Sequence, residues 1–377
     1  MKVLQLGKVY PIRGGVEKVM WDLTRGIADR GVGCDMLCCM RPGSSVDLKD
    51  AQFHQMDGSR NIFSFQSNSY IYCMHAWNKM AGSYLAPSMC TWLAAHKKEY
   101  DIVHIHYPDP MAALALKYSG YRGKVVLHWH SDPEGSFASY MASWLIRRAQ
   151  VIVGTTPDYI KASPFLQKVQ DKCRVVPIGI DPVDYSPAEV QAIKSRYTDR
   201  TLLLTVGRLV PYKGFNYLID AVKMLPDSYH LVISGAGPMR KQLQKQIEEN
   251  GLRKKVTLAG FLSYEELPNW FHAADVFVLS SIFKSEAFGI VQIEAMSCGT
   301  PVVATTIPGS GVSWVNQEGV SGVNVPPCNP EALAKAIQLV AKDRERYGTG
   351  AKRLFAERYT FGSMIDSIIG LYKELLQ

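Results

Sequence analysis

The segment Leu202-Leu-Leu-Thr-Val206-Gly-Arg208-Leu-Val-Pro-Tyr-Lys213-Gly214 decides the fold class. Its first five residues form a short, largely apolar run, which is typical of a strand buried in a parallel sheet. The loop that follows carries Arg208 and Lys213 towards the next helical pattern. Ligands of open parallel sheets lie at the carboxyl ends of the strands, so we expect both cations to line a binding crevice and to clamp a diphosphate.

Runs of the same kind alternate with helical patterns through the whole chain. They are Val3–Leu6, Cys34–Met40, Ile102–Ile105, Val125–Trp129 and Val151–Val153 in the first half, and His230–Ser234, Val256–Leu258, Val276–Leu279 and Pro301–Ala304 in the second. This alternation predicts two doubly wound α/β domains. The stretch Val176–Pro187 is rich in proline, so we place the boundary there, with domains at 1–180 and 181–358.

A second motif, Glu286-Ala-Phe-Gly-Ile-Val-Gln-Ile-Glu294, spans a predicted junction between a loop and a helix. We expect Gly289 to open the helix, whose free N–H groups attract an anion, with Glu286 outside the helix and Glu294 inside it. Carboxylates accept hydrogen bonds from the vicinal hydroxyls of ribose and hexose, whereas phosphates need cations and N–H donors. The two motifs together predict a sugar-nucleotide site.

These motifs, followed by Ala295-Met-Ser-Cys-Gly-Thr-Pro-Val-Val-Ala304, resemble the C-terminal half of retaining glycosyltransferases of family 4, from about Thr201 to Pro327. The resemblance implies the GT-B fold, in which two Rossmann-like domains face each other. It implies that the helical segment at 359–377 returns to the N-terminal domain, although its one-sided apolar pattern alone is equally compatible with the C-terminal domain. It also implies a donor held mainly by the C-terminal domain.

The expected donor-binding residues are Gly14, Gly15, Gly235, Gly237, Phe261, Leu262, Ala287, Phe288, Gly289, Ile290 and Glu294, of which Glu294 would hold the ribose. Glu286 would orient the transferred sugar, while Arg208 and Lys213 neutralise the departing diphosphate. For each glycine pair, an ordinary turn between strand and helix is the alternative interpretation. The full G-x-G-x-x-G pattern does not occur after residue 234, which argues against a dinucleotide-dependent dehydrogenase.

Two His-x-His pairs, His104/His106 and His128/His130, end successive predicted strands, and strand alternation puts the members of each pair on one face. A metal cluster is one interpretation. We nevertheless predict no metal and no cofactor, because no convincing set of carboxylate and cysteine ligands lies nearby and the resembling family binds its donor without an essential metal. We therefore interpret His104 and His128 as structural.

The resemblance makes His130 the active-site histidine, expected near the transferred sugar and the incoming hydroxyl. His106 and Tyr107 would then line the acceptor side. Asp132 is a further acceptor-side candidate, but we favour a role as the cap of a helix that begins near Pro133.

Composition bounds the class of protein. A chain of 377 residues, 47% of them hydrophobic, suffices for two cores. The eight cysteines include no C-x-x-C pair, and we interpret them as reduced core thiols of a cytosolic protein. No apolar run is long enough to span a membrane. The net charge of +8 indicates a solvated surface or weak attraction to an anionic membrane face, and we expect no nucleic-acid partner.

Two segments of the first half leave two interpretations open. Phe137–Arg148 combines aromatic and aliphatic residues with a terminal basic pair, as an interfacial helix does, although packing in the core is the favoured interpretation. The aromatic-rich region Asn61–Trp92 is either an insertion that faces the acceptor or ordinary packing around an irregular connection.

The resemblance implies a retaining transferase, and we expect it to move a hexose or N-acetylhexosamine from a nucleotide sugar, UDP first and GDP next. The acceptor would be a hydroxyl of a glycan or a polyprenyl-pyrophosphate-linked sugar, in bacterial O-antigen or capsule synthesis at the cytoplasmic membrane face. A front-face displacement needs no enzymic nucleophile, and Glu286 is the residue to test for the covalent alternative. The rival hypotheses are an epimerase or hydrolase of the same fold and a catalytically idle sugar-nucleotide-binding partner.

Overall fold

The computed structural model describes residues 1–10, 15–44, 54–55, 62–66, 68–80, 83–182 and 184–377. Contacts divide the chain into two compact units. Unit 1 comprises Met1–Val176 and Met364–Gln377, and unit 2 comprises Pro177–Ser363.

Unit 1 is built on one large sheet. The strands of unit 1, of which β6 and β7 lie outside this sheet, are β1 Lys2–Tyr10, β2 Gly33–Met40, β3 His54–Gln55, β4 Ile62–Gln66, β5 Ser69–His75, β6 Asn78–Met80, β7 Ser83–Leu85, β8 Ile102–Tyr107, β9 Lys124–Trp129, β10 Val151–Gly154 and β11 Cys173–Val175. Its first helices are α1 Gly15–Asp29, α2 Ser88–His96, α3 Pro110–Ser119, α4 Ser136–Arg148 and α5 Pro157–Ala162.

The strand order of this sheet is β11-β10-β9-β8-β1-β2-β5-β4-β3, and β6 pairs with β7 as a separate hairpin. All neighbours from β11 to β5 run parallel, whereas β4 and β3 are added antiparallel at one edge. The chain order reverses between β1 and β8, which makes the sheet doubly wound. In the parallel register of β8 and β9, His106 lies opposite His128.

Unit 2 has a smaller sheet in the order β14-β13-β12-β15-β16-β17, with every pair parallel. The strands are β12 Thr201–Val206, β13 Tyr229–Ser234, β14 Val256–Gly260, β15 Val276–Leu279, β16 Val302–Thr305 and β17 Gly322–Val325. The helices are α6 Pro187–Arg196, α7 Phe215–Met224, α8 Arg240–Glu249, α9 Leu267–Ala273, α10 Ile290–Ser297, α11 Val312–Val315, α12 Pro330–Lys342 and α13 Arg344–Arg358. This strand order is that of the Rossmann fold, so the predicted α/β fold class is confirmed.

The last helix, α14 Phe361–Leu376, supplies part of the core of unit 1. Its buried side chains recur on one face and are Met364, Ile365, Ile368, Ile369, Leu371 and Tyr372. Burying such an apolar stripe is the usual reason for a helix of this pattern to dock on a sheet.

The cysteines and the aromatic-rich region differ in part from the expectations. All eight cysteines are free thiols, but Cys328 is exposed, so its predicted position in a core is wrong. Within the described part of residues 61–92, Phe63 is buried, Phe65 lies 5.1 Å from Trp21 of α1 between ring centroids, and Tyr72 lies 4.3 Å from Trp92. Trp77 differs, because 78% of it is exposed.

Candidate active site

Two loops of unit 2 meet at the carboxyl end of its sheet, where the strand order reverses between β12 and β15. The loop after β12 carries Arg208 and Lys213, and the loop after β15 carries Glu286. A hydrogen bond joins them, because Ser280 Oγ donates to the carbonyl oxygen of Lys213 at 3.0 Å. Open α/β sheets bind ligands at such a switch point, so the topology alone marks these loops as a candidate site.

Lys213 and Glu286 form an ion pair at this point. Lys213 Nζ lies 2.5 Å from Glu286 Oε2, and the two side chains are only 10% and 11% exposed. Ser281 Oγ donates to the same carboxylate oxygen at 2.8 Å. Burial strengthens the attraction between the charges and makes either charge costly to leave unpaired. Lys213 and Glu286, which the sequence predicted separately, are therefore paired with each other in the structure.

Arg208 differs from Lys213 in its surroundings. Its side chain is exposed, and Nη2 donates to the hydroxyl of Tyr212 at 3.3 Å. It is thus a surface cation that can move onto an anion without first losing a buried partner.

The helix α10 presents an uncapped N-terminus beside Glu286. Gly289 is the N-cap residue with φ 74°, and no side chain caps the helix. A Cβ there would lie 2.8 Å from Gln292 Nε2, so the position needs glycine for its backbone angle and for its space. The other predicted donor residues of this motif lie at the same junction: Ala287 half-buried, Phe288 buried, Ile290 as the first helical residue and Glu294 half-buried on the helix.

Gly235 and Gly237 pack against the loop that carries Arg208. A Cβ at Gly235 would fall 1.8 Å from the carbonyl oxygen of Gly207, and one at Gly237 would fall 2.5 Å from that of Leu209. Both glycines thus allow two backbone segments to touch, which is a structural role. Their contact with a nucleotide stays a prediction.

The remaining predicted donor residues lie elsewhere. Phe261 follows β14 and is 72% exposed, and Leu262 beside it is half-buried. Gly15 is the first residue of α1 and is exposed, whereas Gly14 lies outside the described residues.

In unit 1, four imidazole rings form the histidine stack: His104 and His106 on β8, His128 on β9 and His130 directly after it. Their ring planes lie within 20° of parallel, and centroids are 4.2 to 5.3 Å apart. Burial lowers the pKa of each ring below its ordinary value, to about 3 for His128. The rings are therefore neutral near pH 7.

Two expectations for the acceptor side are corrected. His106 and Tyr107 are fully buried, and the Tyr107 hydroxyl donates to the carbonyl oxygen of Ala138, so neither side chain lies where an acceptor could reach it. Asp132 does not cap a helix near Pro133, because α4 begins at Ser136 after Gly135 with φ 85°.

Asp132 has other partners instead. Its carboxylate accepts from Trp129 Nε1 at 3.2 Å and from Ser163 Oγ at 2.5 Å. The carboxylate thereby ties the end of β9 to the segment after α5, and its side chain is half-buried.

The histidine stack also bears on metal binding. Among the described residues, His104, His106 and His128 bring ligand atoms within 4.8 Å of one another. A metal lies in the plane of each ligand ring, and the lone pairs of nearly parallel stacked rings do not converge on one point. Both nitrogens of His106 are also hydrogen-bonded already. As they lie, these residues do not fit a metal ion.

Comparison with known families supplies what the geometry alone does not. The family model described as Glycosyltransferase Family 4 matches residues 13–184, and the model described as Glycosyl transferases group 1 matches residues 188–353. An uncharacterized glycosyltransferase of Methanocaldococcus jannaschii is 30% identical over 100% of this chain and 99% of its own. This chain belongs to the family 4 glycosyltransferases. The predicted family and the predicted enzyme class are thus confirmed.

The glycosyltransferase is similar to two further proteins over its whole length. O-antigen chain mannosyltransferase C of Escherichia coli is 28% identical over 100% of this chain and 99% of its own. The solved structure of HepE from Anabaena, in complex with UDP, has a TM-score of 0.77 and 22% identity over 99% of this chain and 100% of its own. That likeness concerns the fold, and it agrees with the GT-B fold class.

Sequence reasoning missed three residues that hold predicted residues of the glycosyltransferase in place within each unit. Ser281 bonds Glu286, and Gln5 and Tyr372 bond the histidine stack. A signal existed for two of them: Ser281 follows the end of a predicted strand, and Gln5 is a polar residue inside an apolar run. The sequence contained no such signal for Tyr372, because its partners lie more than 260 positions away in the chain.

The glycosyltransferase exposes aromatic rings on α3 and α4. Tyr118, Phe137 and Tyr140 are 68%, 50% and 56% exposed, and Lys117 Nζ lies 4.9 Å from the ring centroid of Tyr140. The opposite face of α4 is buried in the core, so the helix packs and also presents an aromatic surface. Within the described residues, no helix has the length and apolar character needed to cross a bilayer.

Proposed function

We propose that the enzyme transfers a hexose or N-acetylhexosamine from a nucleoside-diphosphate sugar to a hydroxyl of a glycan or of a lipid-linked sugar, with retention of anomeric configuration. The observation that carries this proposal is the pair of Lys213 and Glu286 at the switch point of unit 2. An ammonium suits a diphosphate and a carboxylate suits sugar hydroxyls, and here they are held side by side.

The chemistry follows from these positions. A diphosphate at the end of α10 would gain the N–H groups of the uncapped helix, and Arg208 and Lys213 would stabilise the charge that grows as its bond to the sugar breaks. Glu286 Oε1 makes no hydrogen bond to the described residues, which leaves it to accept from a sugar hydroxyl. Glu294 would take the ribose hydroxyls in the same way.

Retention would proceed by front-face displacement, in which the leaving phosphate accepts the proton of the incoming hydroxyl. The environment of Glu286 supports this choice, because a carboxylate held by an ammonium and a hydroxyl is a weakened nucleophile. His130, the least buried ring of the histidine stack, would hydrogen-bond a hydroxyl of the donor sugar or the acceptor.

The identity of the sugar and of the nucleotide is part of the proposal. The relative from E. coli is named as a mannosyltransferase of an O-antigen chain, which supports a hexosyl donor and a cell-surface glycan as acceptor. The Anabaena structure holds UDP, which supports UDP as the first nucleotide and leaves GDP as the second. Mannose is the first sugar to test, followed by glucose, galactose and N-acetylglucosamine.

The test is to incubate the purified protein with each UDP- and GDP-linked sugar, with and without a polyprenyl-pyrophosphate-linked sugar. We expect release of nucleoside diphosphate that depends on the acceptor, and a product whose one-bond coupling between C1 and H1 shows retention. Consumption of donor without acceptor would favour an epimerase or hydrolase, and binding without turnover would favour an idle partner. A glycosyl adduct on Glu286, detected by mass spectrometry with a slow donor, would replace front-face displacement with a covalent route.

We further propose that no metal is essential. Activity after exhaustive chelation should equal that of the untreated enzyme, because Arg208, Lys213 and the α10 amides supply the positive charge that a divalent ion supplies elsewhere. Loss of activity on chelation, with recovery on adding one divalent cation, would contradict this.

We also propose peripheral contact with an anionic membrane through the aromatic and basic surface on α3 and α4. Tyr118, Phe137 and Tyr140 would enter the interface, with Lys117 and the exposed Arg147 near the lipid phosphates. Sedimentation with vesicles containing anionic lipid should fall for Phe137→Ser with Tyr140→Ser. Equal sedimentation of this variant and the wild type would remove the surface from the proposal.

A further inference from the structure

A chain of hydrogen bonds runs from the last helix to His130. Gln5 Nε2 donates to the hydroxyl of Tyr372 on α14 at 3.1 Å. Gln5 Oε1 lies 2.8 Å from His106 Nε2, and His106 Nδ1 lies 2.9 Å from His130 Nε2. We call Tyr372, Gln5, His106 and His130 the relay. The first three are fully buried, and His130 retains 7% exposure.

The relay determines which nitrogen of His130 carries hydrogen. The carbonyl oxygen of an amide only accepts, so His106 Nε2 must donate to Gln5 Oε1. Because burial keeps the ring of His106 neutral, its Nδ1 is then bare and accepts from His130 Nε2. His130 is neutral for the same reason, which leaves a lone pair on its Nδ1. That nitrogen bonds to none of the residues that the structure describes.

The direction of the relay depends on the orientation of the Gln5 amide. If the amide turned over, every donor in the relay would become an acceptor, and Nδ1 of His130 would carry hydrogen instead. The structure places Nε2 of Gln5, not Oε1, against the Tyr372 hydroxyl, and that hydroxyl has one hydrogen, which it can give to His104 Nδ1. A hydroxyl that gives its hydrogen to His104 can only accept from Gln5.

We propose that Gln5 and Tyr372 are positioning residues that fix the ring tautomer of His130 through His106, so that His130 offers a hydrogen-bond acceptor at Nδ1 to a substrate hydroxyl. The proposal rests on the proposed function for the identity of the hydroxyl, but not for the tautomer. A fixed acceptor spares the enzyme the cost of choosing a tautomer at each turnover, as a carboxylate does for the histidine of a catalytic triad.

The first measurement is the ring nitrogen spectrum of ¹⁵N-histidine-labelled enzyme without substrate, with His130 assigned from His130→Asn. We expect one tautomer, with hydrogen on Nε2 and a bare Nδ1. Hydrogen on Nδ1, or a mixture of both tautomers, would overturn the proposal. This outcome does not depend on any donor, so it stays separate from a failure of the proposed function.

Two variants then test the positioning residues. Gln5→Met has nearly the same shape but no amide, and Tyr372→Phe removes only the hydroxyl. We expect His130 to populate both tautomers in each variant, and kcat to fall by roughly tenfold while the KM of the donor changes by less than about twofold. The proposed function assigns nucleotide binding to unit 2, so the expected change in KM is small.

The matched control is Tyr121→Phe. Tyr121 is also a buried tyrosine of unit 1, but its hydroxyl donates to backbone carbonyls and not to the relay. We expect its melting temperature to fall about as much as that of Tyr372→Phe, with unchanged kcat and an unchanged His130 tautomer. A single unaltered tautomer and full turnover in both Gln5→Met and Tyr372→Phe would reduce the relay to a structural feature. If Gln5→Met fails to fold, Tyr372→Phe and the wild-type spectrum still test whether the relay fixes the tautomer of His130.

Discussion

At the scale of single residues, the pair of Lys213 and Glu286 has two duties that conflict. Its two charges must stay paired inside the protein, and in the proposed mechanism each of them must also interact with a substrate. Its two side chains are only 10% and 11% exposed, so the loss of one partner leaves the other charge buried and unpaired, which is strongly destabilising. Stability and catalysis should therefore respond differently to changes at these positions.

The first prediction separates the two duties. Lys213→Met should lower turnover by about 2–4 kcal/mol of barrier, or about 30- to 1,000-fold, because a preorganised cation is lost. It should also lower the free energy of unfolding by about 3 kcal/mol, because Glu286 is left buried and unpaired. Adding Glu286→Gln should restore much of the unfolding free energy but none of the turnover. Urea unfolding and initial rates measure both.

Two controls belong to this prediction. Arg208→Ala should lower turnover by a similar 2–4 kcal/mol but leave unfolding nearly unchanged, since this cation is exposed. Lys335→Met breaks an exposed pair with Glu331 and should leave the free energy of unfolding nearly unchanged. Wild-type rates in both Arg208→Ala and Lys213→Met would remove the two cations from the mechanism.

The sequence predicted these residues but not their partnership. Lys213 and Glu286 are 73 positions apart, and only the crossing of the chain between β12 and β15 brings their loops together. The same holds for Gln5 and Tyr372, 367 positions apart. Residue type indicated the chemistry of each side chain. Pairing depends on strand order, which a local pattern does not contain.

At the scale of elements, the start of α10 combines a special backbone angle with a crowded site. The sequence motif indicated this start, because Gly289 separates a loop from an apolar helical pattern. The predicted helix start near Pro133 was wrong. An aspartate before a proline is a common cap signal, and nothing in the local sequence shows that Asp132 has tertiary partners instead. The antiparallel strands β3 and β4 also lacked a clear apolar run.

The second prediction concerns this glycine. Gly289→Ala should lower the free energy of unfolding by about 2–3 kcal/mol, because the left-handed angle and the contact with Gln292 both oppose a Cβ. Gly251→Ala is the control, since Gly251 has φ 67° but nothing within 4 Å of its Cβ position, and it should cost about 1 kcal/mol. Equal urea midpoints for the two variants would show that crowding at Gly289 does not matter.

At the scale of the whole molecule, the histidine stack makes unit 1 sensitive to acid. His128 has an ordinary pKa of 6.5 that burial lowers to about 3, so below pH 6.5 the unfolded chain binds a proton that the folded chain does not. Its contribution to stability is therefore complete above pH 6.5 and is lost as the pH falls towards 3. At about pH 5 the loss amounts to about 2 kcal/mol for this one ring.

The third prediction follows from that sign. The free energy of unfolding of the wild type should fall steeply from about pH 7 to pH 5, with the other three rings of the stack adding to the slope. In His128→Gln the fall in the free energy of unfolding over this pH range should be smaller by about 2 kcal/mol, whatever the stability of the variant at pH 7. His75→Gln is the control at an exposed histidine. Parallel curves for wild type and His128→Gln would contradict the assignment.

The fourth prediction concerns α14. Truncation after residue 360 removes six buried apolar side chains, each worth about 1.5–3 kcal/mol on burial, which together exceed the usual margin of stability of a domain. We expect unit 1 of the truncated chain to lose its cooperative unfolding transition while that of unit 2 persists. A retained transition, observed by hydrogen exchange across β1 and β8, would show that α14 is dispensable.

The position of α14 in the chain also sets an order of events on the ribosome. All strands of unit 2 are synthesised before Met364, whereas the core of unit 1 is incomplete until residues 364–377 have been made. Unit 1 thus completes its fold after unit 2, although it comes first in the chain, which reverses the usual N-terminal-first order. At synthesis rates of about 5–20 residues per second, the interval between Val176 and Met364 lasts about 10 to 40 s. Throughout that interval the part of unit 1 that α14 covers is accessible to chaperones and proteases.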